Sequence, residues 1–286
     1  MQQLYKGVYL KRIKALFSKK SAPEAGAGQP KTYTVGTLVY TTRGLMVLFA
    51  WLLWGDFCWS MMEAVVPSIM PLKLRGLNSS NALIGFILGT LPATLNLGVT
   101  PILSFKSDHH RGPRGRRTPF ILYTIPFLCL SMIMIAYSDS IGKWVNHAFL
   151  SGNSAHEAKI VLLLLAVFVA LFDFFNMFVN TVYWYLFADV VPEPMMGRFM
   201  GWFRLVGLIA GFLYNFFVFP YAISHMREIY IGGALLYLVG FGVVCLRVKE
   251  GQYPPPPENE KRTSIWEQMR TYARECYTLR YYWTST

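Results

Sequence analysis

Between Lys106 and Arg117 the chain sets five positive charges, and it places them between two long apolar runs. No single helix inside a bilayer carries that load, so the segment is a loop at a membrane surface and the runs beside it cross the membrane. Elsewhere, too, apolar residues arrive in unbroken blocks rather than amphipathic stripes. With 54% hydrophobic residues and a mean hydropathy of +0.35, this predicts a polytopic all-α membrane protein.

Six apolar runs are long enough to cross a hydrocarbon core of roughly 30 Å. The first runs from about Gly44 to Met70, with Pro67 and Pro71 expected to end or kink it. The second covers about Ala82 to Phe105, and its Gly85 and Gly89 form a small-xxx-small pair suited to close helix packing. The third covers Phe120 to Tyr137, followed by a polar outer loop over Ser138 to Ala158. The fourth covers Ile160 to Phe187, and a short turn from Ala188 to Arg198 leads into the fifth, about Met200 to Tyr221. The sixth covers Ile229 to Leu246.

An internal amino terminus puts 22 of the 27 Lys and Arg residues on the cytoplasmic side and leaves Lys73, Arg75, Lys143, Lys159 and Arg227 outside. This asymmetry sets the orientation and accounts for the net charge of +12, which in a soluble chain would point to nucleic acid. The first 43 residues read as a basic cytoplasmic tail without a signal peptide, in which Leu10, Ile13, Leu16 and Phe17 share a face that could lie on anionic lipid. Beyond the sixth run, residues 248–286 read as a cytoplasmic loop. In it Ser264 and Glu267 fit a capping box at the start of a helix.

Three of the four cysteines, Cys58, Cys129 and Cys245, sit inside apolar runs, Cys276 does not, and all five histidines fall in expected loops, so no metal or cofactor site is expected. No nucleophile motif, phosphate loop or zinc motif is present, which argues against an enzyme. The informative residues are instead the intramembrane acids. Asp56 and Glu63 lie seven residues apart on the first span, and Asp173, Asn176 and Asn180 follow an i, i+3, i+7 pattern on the fourth. An ionised group facing lipid at mid-depth costs several kcal/mol, so these faces look into the bundle or a wet cavity. There a carboxylate's charged form is disfavoured and its protonation can be coupled to solute occupancy. Trp59, Tyr183 and Trp184, like Trp51 and Trp54, are suited to stacking on sugar rings, although packing and interfacial anchoring use the same residues. Asn96 is the polar candidate on the second span.

The loop reads Asp-x6-Gly-Arg-Arg-x-Pro from Asp108 to Pro119, with Pro101 seven residues ahead of the acid. It resembles the loop between the second and third helices of major facilitator transporters, in particular the glycoside-pentoside-hexuronide and sucrose-transporter branch. Asp173, Asn176 and Ala188-Asp189 repeat the sucrose transporters' spacing on the fourth helix. The resemblance implies six helices arranged as two three-helix repeats, the amino-terminal half of a twelve-helix carrier, so that a carboxy-terminal half is expected beyond this sequence. It implies that Asp173 is the coupling acid, while the residues themselves leave Asp56 and Glu63 as rivals and offer Asn176, Asn180, Trp184, Tyr183, Asn96 and Trp59 as the solute-binding candidates. Trp184 stands where that family carries a substrate-pairing Arg, and Asn96 and Thr100 replace the acids of sodium-using relatives, so protons are the expected coupling ion. The inner loops are expected to form a gate, Asp108 with Gly115, Arg116 and Arg117, and Asp189 with Arg198. The implied function is proton-coupled symport of a sugar, glycoside or similar polar solute across a plasma or inner membrane. The competing expectation is a complete six-helix scaffold or assembly partner that transports nothing.

Overall fold

The computed structural model describes residues 32–110, 112, 115–149, 154–251, 267 and 270. The tail residues Leu10 to Phe17, the capping box at Ser264, Arg111, Arg114, Cys276 and the side chain of Asp108 lie outside the described residues. Among the described residues six helices are long and apolar enough to span a membrane, so the chain is a multi-pass integral membrane protein.

The description begins with a small hairpin, β1 (Thr32–Val35) and β2 (Leu38–Thr41), inside the stretch read as tail. Tyr33 pairs with Tyr40 and Thr34 with Val39, and Gly36 takes the turn at φ +54°, a conformation that favours glycine. Its β-branched and aromatic alternation, with Tyr33, Leu38 and Tyr40 packed against the helical core, makes this the exception to otherwise helical structure among the described residues.

The first span is α1 (Thr42–Gly76), started by the Thr41 hydroxyl accepting from the amide of Gly44. Pro67 and Pro71 lie inside it and do not end it. Each removes one backbone bond, which a membrane helix tolerates where neighbouring groups pack against it. The helix closes at Asn78, whose φ of +56° allows the amide of Ser79 to reach the carbonyl of Leu74. The second span comprises α2 (Asn81–Gly85), a π turn (Phe86–Thr90) and α3 (Leu91–His109). The third is α4 (Thr118–Ala136).

The expected outer loop contains a helix, α5 (Ser138–Phe149). It is amphipathic: Gly142, Val145 and Asn146 are covered, and Lys143, Trp144 and His147 are exposed. The fourth span is α6 (Ser154–Val190), and the fifth starts as α7 (Glu193–Leu213), continues as a π turn (Tyr214–Val218) and ends in a short turn (Phe219–Tyr221). The connection read as an eleven-residue turn is therefore mostly helix, broken only around Pro192, and Gly197 and Arg198 belong to α7. The sixth span is α8 (Met226–Arg247).

In the bundle α1 packs against α7 and α8, α4 packs against α6 and α8, and α3 packs against α6. Glycines set the closest of these approaches. A Cβ at Gly240 of α8 would stand within 3 Å of Cys58, and one at Gly55 of α1 would stand 2.8 Å from the Tyr183 hydroxyl. Gly85 and Gly89, expected to serve close packing, face open space instead.

Candidate functional site

Spans one, two and four enclose a cavity of about 500 Å³, within the range of small-molecule sites. Its wall is built by helical periodicity. Asp173, Asn176 and Asn180 follow one another along α6, and Trp184 continues the row. Opposite them stand Glu63 of α1 and Asn96 of α3. Thus five of the six expected solute and coupling positions on the fourth and second spans, together with Glu63, meet in one place.

One oxygen of Asp173 and the carbonyl oxygen of Asn176 are buried and lack a hydrogen-bond partner among the described residues. Both are acceptors. Both can accept from water or from a hydroxyl-bearing solute in the cavity. Asn96 is partly engaged, accepting from the Thr100 hydroxyl at 2.5 Å.

Three expected site residues lie elsewhere. Tyr183 is buried in the core, where its hydroxyl donates to the carbonyl of Leu52 and its ring packs against Phe241. Ten residues beyond Asp173, it points about 80° away from the cavity face, whereas Trp184 returns to within about 20° of it. Asp56 is 1% exposed and turned toward α7, where a Cβ on Gly207 would sit 3.9 Å from its Oδ2. Ser60 of its own helix and Arg204 of α7 are its polar neighbours. Trp59 is half-buried away from the cavity wall, its indole N–H unpartnered among the described residues.

At the carboxy-terminal end of α6, beside the cavity, lies an ionic latch. Arg116 holds Asp189 with both nitrogens of its fork, Nε to Oδ2 at 3.0 Å and Nη2 to Oδ1 at 2.5 Å. The Nε of Arg117 reaches the same Oδ2 at 3.1 Å, and its Nη1 donates to Ser107. Asp189 therefore pairs with the loop before α4 and not, as expected, with Arg198, which is exposed on the second turn of α7. The pairing fails because α6 runs on through Asp189 and carries the acid toward the start of α4.

Glu250 is not among the expected site residues. Just beyond α8, its carboxylate accepts from the amides of Arg116 at 2.8 Å, Arg117 at 3.0 Å and Thr118, and from the Thr118 hydroxyl at 2.6 Å. It thus caps the start of α4, where unpaired amides and the helix dipole favour an anion. Gly115, at φ +97°, makes room: a Cβ there would stand 2.5 Å from the Glu250 Cδ. Its only sequence cue was an acid at the end of an apolar run, and its partners lie more than 130 residues away. At the other face of the bundle Lys73 of α1 donates to Ser138 at 2.7 Å and to Asp139 at 3.0 Å, while Arg227 of α8 lies over the Tyr137 ring.

Among the described residues no three His, Cys, Asp or Glu side chains are grouped to hold a metal ion. Comparison with protein-family models, with curated proteins and with solved structures gives no match.

Proposed function

We propose that this chain is the six-helix half of a secondary carrier that moves a hydroxyl-rich organic solute, a sugar or glycoside, together with protons by alternating access. The observation that carries the reading is the pair of buried acceptors, Asp173 and the Asn176 side-chain carbonyl, on the wall of the cavity. Asp173 falls at the middle of the apolar segment Glu157–Val190. A solute rich in hydroxyl groups supplies donors to both, Trp184 offers an aromatic face beside them, and a proton on Asp173 is the alternative donor when the cavity is empty.

The packing supports a two-repeat plan. Exchanging spans one, two and three for four, five and six turns the contact of α1 with α7 into that of α6 with the second span. The same exchange turns the contact of α1 with α8 into that of α6 with α4. The contact of α4 with α8 maps onto itself. Such internal pseudo-symmetry is the usual plan of carriers with a mid-membrane site. The charge asymmetry supports placing the latch of Arg116, Arg117, Asp189 and Glu250 at the cytoplasmic face and α5 at the outer one.

The test is direct. The full-length protein is reconstituted in liposomes carrying an internal pH dye, and glucose, sucrose, maltose and methyl glycosides are added outside in turn. Acidification of the lumen on addition of one of them is the expected result. Absence of both proton movement and solute counterflow across the whole panel would instead favour a non-transporting scaffold.

A further inference from the structure

Both π turns in the bundle stand in the same register to a proline. In the second span the turn Phe86–Thr90 is followed by Leu91 and then Pro92, and in the fifth Tyr214–Val218 is followed by Phe219 and then Pro220. In each, the residue before the proline donates its amide five positions back, Leu91 to Phe86 and Phe219 to Tyr214. The cause is local. A proline ring clashes with the carbonyl four residues earlier and offers no amide, and widening the preceding turn relieves both problems.

Proline alone does not produce the feature, since Pro67 and Pro71 of α1 and Pro126 of α4 sit in unbroken α-helix. What distinguishes the second and fifth spans is how little packs on them. Only 6% and 17% of their apolar windows are buried, against 39% for α1 and 50% for α4. The two turns also lie toward the same face. The second span leaves α1 just beyond Lys73, which is bonded to α5, and the fifth leads into α8, whose Arg227 contacts Ser140 of α5. There spans one, three and six are joined by polar contacts through α5 and Tyr137. Among the described residues no ion pair joins the neighbouring ends of the second and fifth spans to another span. Leu88, inside the first π turn, and Pro92 both line the cavity.

We infer that the two π turns are a matched pair of hinges, at which the ends of the second and fifth spans nearest α5 bend, and that the bend in the second span, whose Leu88 and Pro92 line the cavity, opens and closes it on that face. Interconversion of π and α registers rotates the segment beyond it by about one residue's turn, roughly 100°, and so moves Leu88 into or out of the cavity wall. The inference rests on the carrier reading for the purpose of the motion, not for the motion itself.

Hydrogen exchange on the full-length protein in lipid nanodiscs tests the bending without any solute. The amides of residues 86–91 and 214–219 are expected to exchange at least tenfold faster than those of α4, and Pro92→Ala and Pro220→Ala are each expected to slow their own turn at least tenfold. A single cysteine at Asn176, in a background with the native cysteines replaced, is expected to react several-fold more slowly with an impermeant maleimide added on the α5 side when both prolines are replaced. Pro71→Ala, in a helix without a π turn, is expected to leave that rate unchanged. Exchange in the two turns as slow as in α4, or cysteine labelling unaltered in the double variant, would overturn the hinge. Failure of solute transport with both results intact would overturn only the carrier reading.

Discussion

The guanidinium of Arg117 lies over the ring of Tyr185, 4.8 Å from its centroid, and Tyr185 is also part of the cavity wall. One aromatic side chain therefore forms the boundary between the ionic latch and the site where a solute would sit. A desolvated cation over a ring is worth about 2 kcal/mol, comparable to the coupling free energies that link distant sites. In the proposed carrier the latch would sense occupancy through this contact. Tyr185→Leu should keep the volume of the side chain roughly, remove this contact, and weaken the dependence of latch opening on solute, measured as the solute-induced change in cysteine reactivity at Ser107.

The latch itself makes a prediction about stability. Arg117 and Asp189 are nearly buried, with side-chain exposures of 4% and 14%. Removing one member of a buried ion pair leaves the other uncompensated, at a cost of about 3–5 kcal/mol. Asp189→Asn should therefore lower the thermal unfolding midpoint in detergent clearly, and Arg198→Gln, on the exposed start of α7, should leave it unchanged within error. Equal effects of the two variants would contradict the pairing.

Glu250 is expected to matter for a different reason. Glutamine would bring an NH2 group toward three backbone amides that are themselves donors, and a charge-assisted hydrogen bond is worth about 1.5–3 kcal/mol. Glu250→Gln should loosen the start of α4 by about that amount, seen as faster hydrogen exchange over residues 116–121 with the rest of α4 unaffected. Gly115→Ala should do the same, because the added Cβ meets Glu250 and the backbone at φ +97° resists a side chain.

The contact of α1 with α6 supplies a core test. A Cβ at Gly55 would stand 2.8 Å from the Tyr183 hydroxyl and 3.1 Å from Val244. Overpacking of this kind costs typically about 1–3 kcal/mol. Gly55→Ala should destabilise the bundle by that order in a thermal unfolding assay, and adding Tyr183→Phe should recover part of the loss by removing the nearer atom. A double variant no better than the single one would locate the clash at Val244.

How far the sequence reached depended on whether a feature was local to one helix. Asp173, Asn176, Asn180 and Trp184 were legible because their spacing alone fixes a common face. Tyr183 was misplaced because one residue along a helix turns the side chain by about 100°, from the cavity to the core. Asp56 and Glu63 do share a face of α1, but two turns apart that face meets different neighbours, Gly207 of α7 at one level and the cavity at the other. The latch partners were misassigned because the acid and the arginines stand 72 and 73 residues apart, and only the continuation of α6 beyond Phe187 brings them together. The helix α5 was missed because its polar, amphipathic twelve residues lack the apolar length on which spans are recognised.

Asp173→Asn is the substitution that bears most on function. Asparagine matches the shape of a protonated Asp173 and cannot release a proton, while Glu63 across the cavity remains as a second acid. In the reconstituted full-length protein the variant should lose accumulation driven by a pH gradient and retain solute counterflow, which requires no net proton movement. Glu63→Gln is the comparison, because both acids face one cavity and either could carry the proton. Loss of coupling in Glu63→Gln alone would transfer the role to α1. A merely structural role for Asp173 makes a separate prediction: its asparagine variant would express or unfold differently while its accumulation kept the same dependence on external pH. Asp56, facing α7 and outside the cavity, should tolerate Asn with coupling intact, and a coupling defect there would show that the proton path leaves the cavity wall.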